Sequence, residues 1–172
     1  MQTRHSMAEL NTLSAGDFVR VTGPVFEGPP WIARDISGRR PFAGRDELLG
    51  ALCDTVRNAP DNKKLALIRA HPDLAGRAAL AGALTAESSG EQAAAGLNNL
   101  TPDEMALFQK QNDAYRRKFD FPFIICARLN KKEAILEGFA RRLQNSREQE
   151  IRAALEEIFK IAGLRLRDLI EE

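Results

Sequence analysis

Apolar residues recur at three- and four-residue spacing over most of this chain, which predicts helices and little else. Ser14 followed by Asp17 resembles a capping box opening a short helix with Phe18 and Val19 inside, and Gly23-Pro24 ends it. Trp31 follows Pro29 and Pro30, a turn leading into one or two turns of helix, and is expected to anchor the core rather than form a ligand platform. Arg40-Pro41 is a pre-proline break. From Asp46, the residues Leu48, Leu49, Leu52 and Val56 predict a helix up to Pro60, and Leu65 and Ile68 carry the next one into His71, where Pro72 stops it. Thr101-Pro102-Asp103-Glu104 is a helix start with an N-cap, proline at the first position and an acid at the third. Met105, Phe108, Asn112, Tyr115 and Phe119 then share one face over four turns. Asn130 with Glu133, and Ser146 with Gln149, are expected to open the last two helices.

Two stretches depart from this pattern. Gly76 to Gly96 is rich in alanine and glycine, which favours close backbone approach over a bulky core. Within it, Ser88-Ser89-Gly90-Glu91-Gln92 reads as an interruption and a new capping box, with Glu91 reaching back to the N-cap amide. Phe123-Ile124-Ile125-Cys126-Ala127 reads as extended and buried. Its amides must pair with something, and with no partner strand some of them can bind a ligand carbonyl. About seven or more helices without alternating strands make the class all-α, a single-domain helical bundle with irregular connections. The domain is expected to span residues 1–172, with residues 1–9 a loosely held extension.

A chain of 172 residues buries roughly 70% of its unfolded surface, so no disulfide or metal is needed to hold it. Twenty-five Lys and Arg against twenty-four Asp and Glu, interspersed in sign, argue against a nucleic-acid partner. Two unpatterned cysteines, Cys53 and Cys126, point to a reducing compartment, and the expected location is cytoplasmic. No apolar signal core or membrane-length run is present, so no membrane association is expected.

Candidate chemistry centres on Ala70-His71-Pro72-Asp73-Leu74-Ala75-Gly76. Proline disfavours the α conformation in the residue before it, so His71 is expected to stand extended at a helix end. The only other histidine, His5, lies in the polar N-terminal segment, so an imidazole that moves a proton near neutral pH is His71. The plainer alternative is a histidine that merely complements the free carbonyls of a helix end. One such histidine with scattered cysteines does not supply a zinc site, and the glycines match neither phosphate-binding fingerprint. A Cys126–His71 nucleophilic pair stays open, although Cys126 in an apolar run is more often inert.

These motifs, with Phe26-Glu27-Gly28-Pro29-Pro30-Trp31-Ile32-Ala33, Arg40-Pro41-Phe42, Phe121 to Ala127 and Leu164-Arg165-Leu166, resemble the 2-oxo-4-hydroxy-4-carboxy-5-ureidoimidazoline (OHCU) decarboxylase family of urate catabolism. The resemblance runs from about Leu10 to Ile170, with Pro29-Pro30-Trp31 standing where Ser-Pro-Trp is expected. It implies an all-helical homodimer that uses no cofactor and converts OHCU to (S)-allantoin and carbon dioxide. It also implies His71 as the central catalytic residue with Glu91 beside it, and substrate contacts from Pro72, Ser88, Gln92, the backbone of Ile125 and Ala127, and Arg165, with Arg167 as the rival arginine. Two alternatives remain at this point: a helical interaction module in which His71 only caps a helix, and a cofactor-free hydrolase or lyase acting on a related cyclic ureide.

Overall fold

Small hydroxyl side chains set several of the helix starts. In the computed structural model, which describes residues 3–171 (Arg77 and Ala78 by their backbone only), Ser6, Ser14, Thr85 and Thr101 each accept a hydrogen bond from the amide three residues on. The α-helices are α1 (Met7–Thr12), α2 (Ala15–Thr22), α3 (Trp31–Ile36), α4 (Arg45–Arg57), α5 (Asp61–Arg69), α6 (Arg77–Leu80), α7 (Ala86–Ala94), α8 (Pro102–Phe119), α9 (Lys132–Arg142) and α10 (Arg147–Leu169). Short 3₁₀ turns occupy Gly23–Val25, Ser37–Arg39 and Ala127–Leu129. Among the described residues the only strand-like feature is an isolated bridge between His5 and Ile170, so the all-α expectation holds.

The chain gathers into two compact units, one comprising the residues up to Leu67 together with those from Phe159 onward, the other Ile68–Ile158. In the first, α3 lies against α4, and Phe18, Ile36, Leu48, Leu52, Val56 and Leu166 are fully buried. Phe18 stacks on Phe42 at 6.5 Å, with the Arg40 guanidinium 4.8 Å from the Phe18 ring centre. Two expectations change here. Of the segment read as a loose extension, residues 1 and 2 lie outside the described residues, but Ser6 and Glu9 form a full capping box on α1. His5 pairs its backbone with Leu169 and Glu171, each bond 2.9 Å, and Arg4 donates to the carbonyls of Arg167 and Ile170. Backbone pairing of this kind leaves no trace in side-chain polarity. Trp31 is only half-buried, with the Lys63 amine 4.7 Å from its ring centre, and its helix neighbours Ile32, Ala33 and Ile36 fill the core instead.

The second unit is built on α8, whose start at Thr101 and Glu104 is the reciprocal cap expected. Tyr115 sits among Phe119, Phe121, Phe123 and Phe139, with ring centres 4.6 to 6.4 Å away, and Phe123 stacks on Phe139 at 3.9 Å. Asp120, left-handed at φ 61°, ends α8 and turns the chain into the 121–127 segment. Ser146 and Gln149 cap α10 reciprocally, as expected. Asn130 does not cap α9, because its side chain turns back to the Cys126 carbonyl and Lys131 takes the N-cap position.

Candidate active site

The loop that carries His71 is held by side chains from two helices. α5 ends at Arg69, and the His71 amide closes one further turn onto the Ile68 carbonyl at 3.2 Å. Gln92 of α7 grips the loop with both ends of its amide: Oε1 accepts from Ala75 N at 2.9 Å and Nε2 donates to the Asp73 carbonyl at 3.2 Å. Asn112 of α8 donates to the Leu74 carbonyl at 2.8 Å, and Arg116 Nε donates to both oxygens of the Asp73 carboxylate at 2.9 and 3.1 Å. These bonds hold Ala75 at φ 50°, a left-handed conformation that disfavours any residue with a Cβ. Gly76 is required for a different reason, since a Cβ there would lie 2.6 Å from Asp73 Cβ. The motif thus reads chemically: an imidazole, a proline helix stop, an anchoring carboxylate and a glycine that permits the tight return. His71 itself is 7% exposed.

α7 corrects the expected break at Ser88. Thr85 is the N-cap, its Oγ1 accepting from Ser88 N at 3.2 Å, and the helix runs without interruption from Ala86 through Gly90 to Ala94. Glu91 is therefore not the reciprocal partner of an N-cap, because Thr85 opens the helix one turn earlier. A single glycine inside a helix costs only about 1 kcal/mol, too little to break it. Ser88 and Gln92, four residues apart, are buried on one face of α7, and Glu91 is half-buried.

Phe121 to Ala127 is buried throughout, as expected, and is held by side chains in place of a partner strand. Cys126 N donates to Glu157 Oε2 at 2.9 Å, the Arg142 guanidinium donates to the Ile124 carbonyl, and Asn130 Nδ2 and Leu129 N donate to the Cys126 carbonyl at 2.9 and 3.1 Å. α7 packs against the 3₁₀ turn that begins at Ala127. Burial pushes the Cys126 thiol above its ordinary pKa against the Leu129 and Arg128 amides that oppose it, and the carboxylates of Glu157 and Glu91 push the same way as burial. A thiol kept protonated is a poor nucleophile, which weighs against the Cys126–His71 pair.

His71, Pro72, Ser88, Glu91, Gln92, Ile125 and Ala127 thus fall within one unit, where the His71 loop and the turn that begins at Ala127 each adjoin α7 and Ile125 lies in the segment leading into that turn. Arg165 belongs to the other unit, buried there with Nη2 3.0 Å from Glu27 Oε1 and Nη1 3.1 Å from the Pro24 carbonyl. Its rival Arg167 is exposed. Sequence reasoning gave no role to Glu27, Arg116 or Glu157. A signal existed for Asn112, a polar residue on an otherwise apolar face, and for Glu27, an acid between Phe26 and Gly28 in an apolar run. Among the described residues no cluster of three or more His, Cys, Asp or Glu side chains has the arrangement of a metal site.

Residues 11–167 match the family described as OHCU decarboxylase. Among curated relatives, the 2-oxo-4-hydroxy-4-carboxy-5-ureidoimidazoline decarboxylase of Amia calva is 43% identical over 96% of this chain and 94% of its own length. The protein of the same name from Mus musculus is 41% identical over 95% and 92%. Among solved structures, the crystal structure of (S)-allantoin synthase superposes with a TM-score of 0.78 at 26% identity, over 96% of this chain, which spans about half (54%) of that one. On the family match and these near-full-length identities, the chain belongs to the OHCU decarboxylase family.

Proposed function

We propose that this chain is a carboxy-lyase that decarboxylates OHCU to (S)-allantoin and carbon dioxide, with His71 as its central catalytic residue and Glu91 beside it. The observation that carries the site assignment is the link between the two: Gln92, next to Glu91 on α7, holds the backbone that follows His71. The assignment is strengthened because Glu91 is released from the capping role that offered it a plainer explanation. Gln92 Oε1 and Nε2 each retain a further hydrogen-bonding position, so gripping the loop is compatible with touching substrate.

Loss of carbon dioxide leaves an electron pair on carbon, which the substrate's conjugated imidazoline system accepts without a cofactor acting as electron sink. The protein then has three tasks. It must hold the carboxylate out of the ring plane, stabilise the charge that develops and control one proton. In this reading the amides of Ile125 and Ala127 take the ring carbonyl and the ureido group, with Pro72, Ser88 and Gln92 lining the same ligand. Arg165, held by Glu27 and the Pro24 carbonyl, is the arginine that the family resemblance assigns to the substrate's negative charge. His71, steered by Glu91, moves the proton, and protonation on one face gives one enantiomer.

The family reading carries three further parts: the whole chain acts as one catalytic domain, it works as a homodimer, and it works in the cytoplasm. The family match across residues 11–167 supports the first. Neither cysteine forms a disulfide among the described residues and both are buried, which suits a reducing compartment, and no helix among the described residues is long and apolar enough to cross a membrane. The test is to generate OHCU from urate in situ and follow the circular dichroism of the allantoin formed. Rapid, lasting optical activity is expected with the protein and racemic product without it. Folded protein that gives neither acceleration nor optical activity overturns the reading.

A further inference from the structure

The segment assigned above to substrate carbonyl recognition alternates in how its peptide groups are held. The peptide joining Ile124 to Ile125 has its carbonyl on the Arg142 guanidinium. The next, joining Ile125 to Cys126, has its N–H on Glu157 Oε2 at 2.9 Å. The third, joining Cys126 to Ala127, has its carbonyl on Asn130 Nδ2 at 2.9 Å and on Leu129 N at 3.1 Å. Neither the Ile125 nor the Ala127 amide donates to a protein acceptor among the described residues. In a planar trans peptide the C=O and N–H point in opposite directions, so a group that fixes the carbonyl also aims the amide at the other end.

We infer that Arg142 and Asn130 are positioning residues that set the direction of the Ile125 and Ala127 amides, each by holding the carbonyl of the same peptide. This rests on the reading that those two amides receive the substrate. Arg142 is suited to the task because it cannot wander: it is 6% exposed, its Nε lies 2.8 Å from Glu150 Oε1, and its guanidinium lies 4.4 Å from the Phe123 ring centre. Glu150 is fixed in turn by the Tyr115 hydroxyl at 2.5 Å and Asn145 Nδ2 at 2.9 Å. A guanidinium fork binds a carboxylate and a carbonyl at once, which a single ammonium does not reproduce. Donation to a peptide carbonyl also polarises that peptide, making its N–H a stronger donor to a developing negative charge. The buried ion pair therefore acts on the chemistry through the backbone without touching substrate.

Two variants test this, Asn130→Ala and Arg142→Lys, with His71→Ala as the reference for the site itself. Lysine keeps a positive charge opposite Glu150 while losing the second arm of the fork. The measurements are kcat and KM with OHCU generated in situ, thermal melting, and the amide resonances of Ile125 and Ala127 in isotope-labelled protein titrated with (S)-allantoin. The expected result for each variant is a fall in kcat of roughly 10- to 100-fold, larger than any rise in KM, from misdirected donors. The allantoin-induced shifts of the two amides should shrink while Asn130→Ala melts close to the wild type. Wild-type kcat, KM and amide shifts in Asn130→Ala, beside an inactive His71→Ala, overturn the positioning role alone, and Asn130→Ala decides the matter if Arg142→Lys does not fold. Full activity in folded His71→Ala instead overturns the site reading, and the positioning role with it.

Discussion

One helix serves two neighbourhoods that are held together differently. On one side of α8, Tyr115 and Phe119 join Phe121, Phe123 and Phe139 in an aromatic cluster held by ring packing. From the same face Asn112, with Arg116 beside it, reaches the loop that follows His71, where the tethers from α8 are directed polar bonds to the Leu74 carbonyl and to the Asp73 carboxylate. Packing is non-directional and tolerates changes that conserve volume. Hydrogen bonds fix where a backbone group points, so the loop can keep Ala75 in a disfavoured conformation only while its partners remain. The cluster governs whether this unit folds, and the tethers govern how the imidazole is presented.

The sharpest way to separate the two neighbourhoods is to damage each in turn. His71→Ala should lower kcat by about 10²–10⁴-fold, the usual contribution of general acid–base catalysis, with little change in melting temperature. A loss of only a few fold in folded protein would return His71 to a structural role. Phe139→Ala should do the reverse: deleting a fully buried ring that stacks on Phe123 costs about 3–5 kcal/mol of stability, read from denaturant unfolding, while the folded fraction keeps its turnover. Asn112→Ala lies between them. It leaves the Leu74 carbonyl without its amide donor, which costs about 1–3 kcal/mol, and it loosens the loop, so kcat and stability should fall together.

The smallest effects discriminate within α7. Thr85→Ala removes the N-cap and should lower stability by about 1 kcal/mol while kcat holds. Glu91→Ala, one and a half turns further on, should lose turnover with little change in melting, and normal turnover there would remove Glu91 from the chemistry. Had Glu91 completed a capping box, the two variants would melt alike.

Legibility followed the range of the interaction. The caps at Ser14, Thr101 and Ser146, and the buried face of α8 through Phe108, Tyr115 and Phe119, were readable because each involves residues within a turn or two of one another. Local signals misled where two of them competed. Thr85 and Ser88 both suit an N-cap, and the earlier one prevails; Asn130 suits an N-cap too, but the Cys126 carbonyl takes its amide. The polar segment around His5 looked unattached because its partner, Ile170, stands at the far end of the chain.

The site divides along the same line. Its residue types were legible as a motif: an imidazole before a proline, a carboxylate at Glu91, and a buried apolar run with amides to satisfy. The choice of Gln92, Asn112 and Arg116 to clamp the loop was not, because those bonds span 17 to 43 residues of sequence and depend on how α7 and α8 pack. The same holds for Arg142, which reaches the Ile124 carbonyl across 18 residues, and for Glu27, which meets Arg165 across 138. Helix periodicity and capping act over one or two turns and are written into neighbouring residues. The bonds that hold the loop after His71 and the 121–127 segment come from side chains far along the sequence, and only the folded chain brings them there.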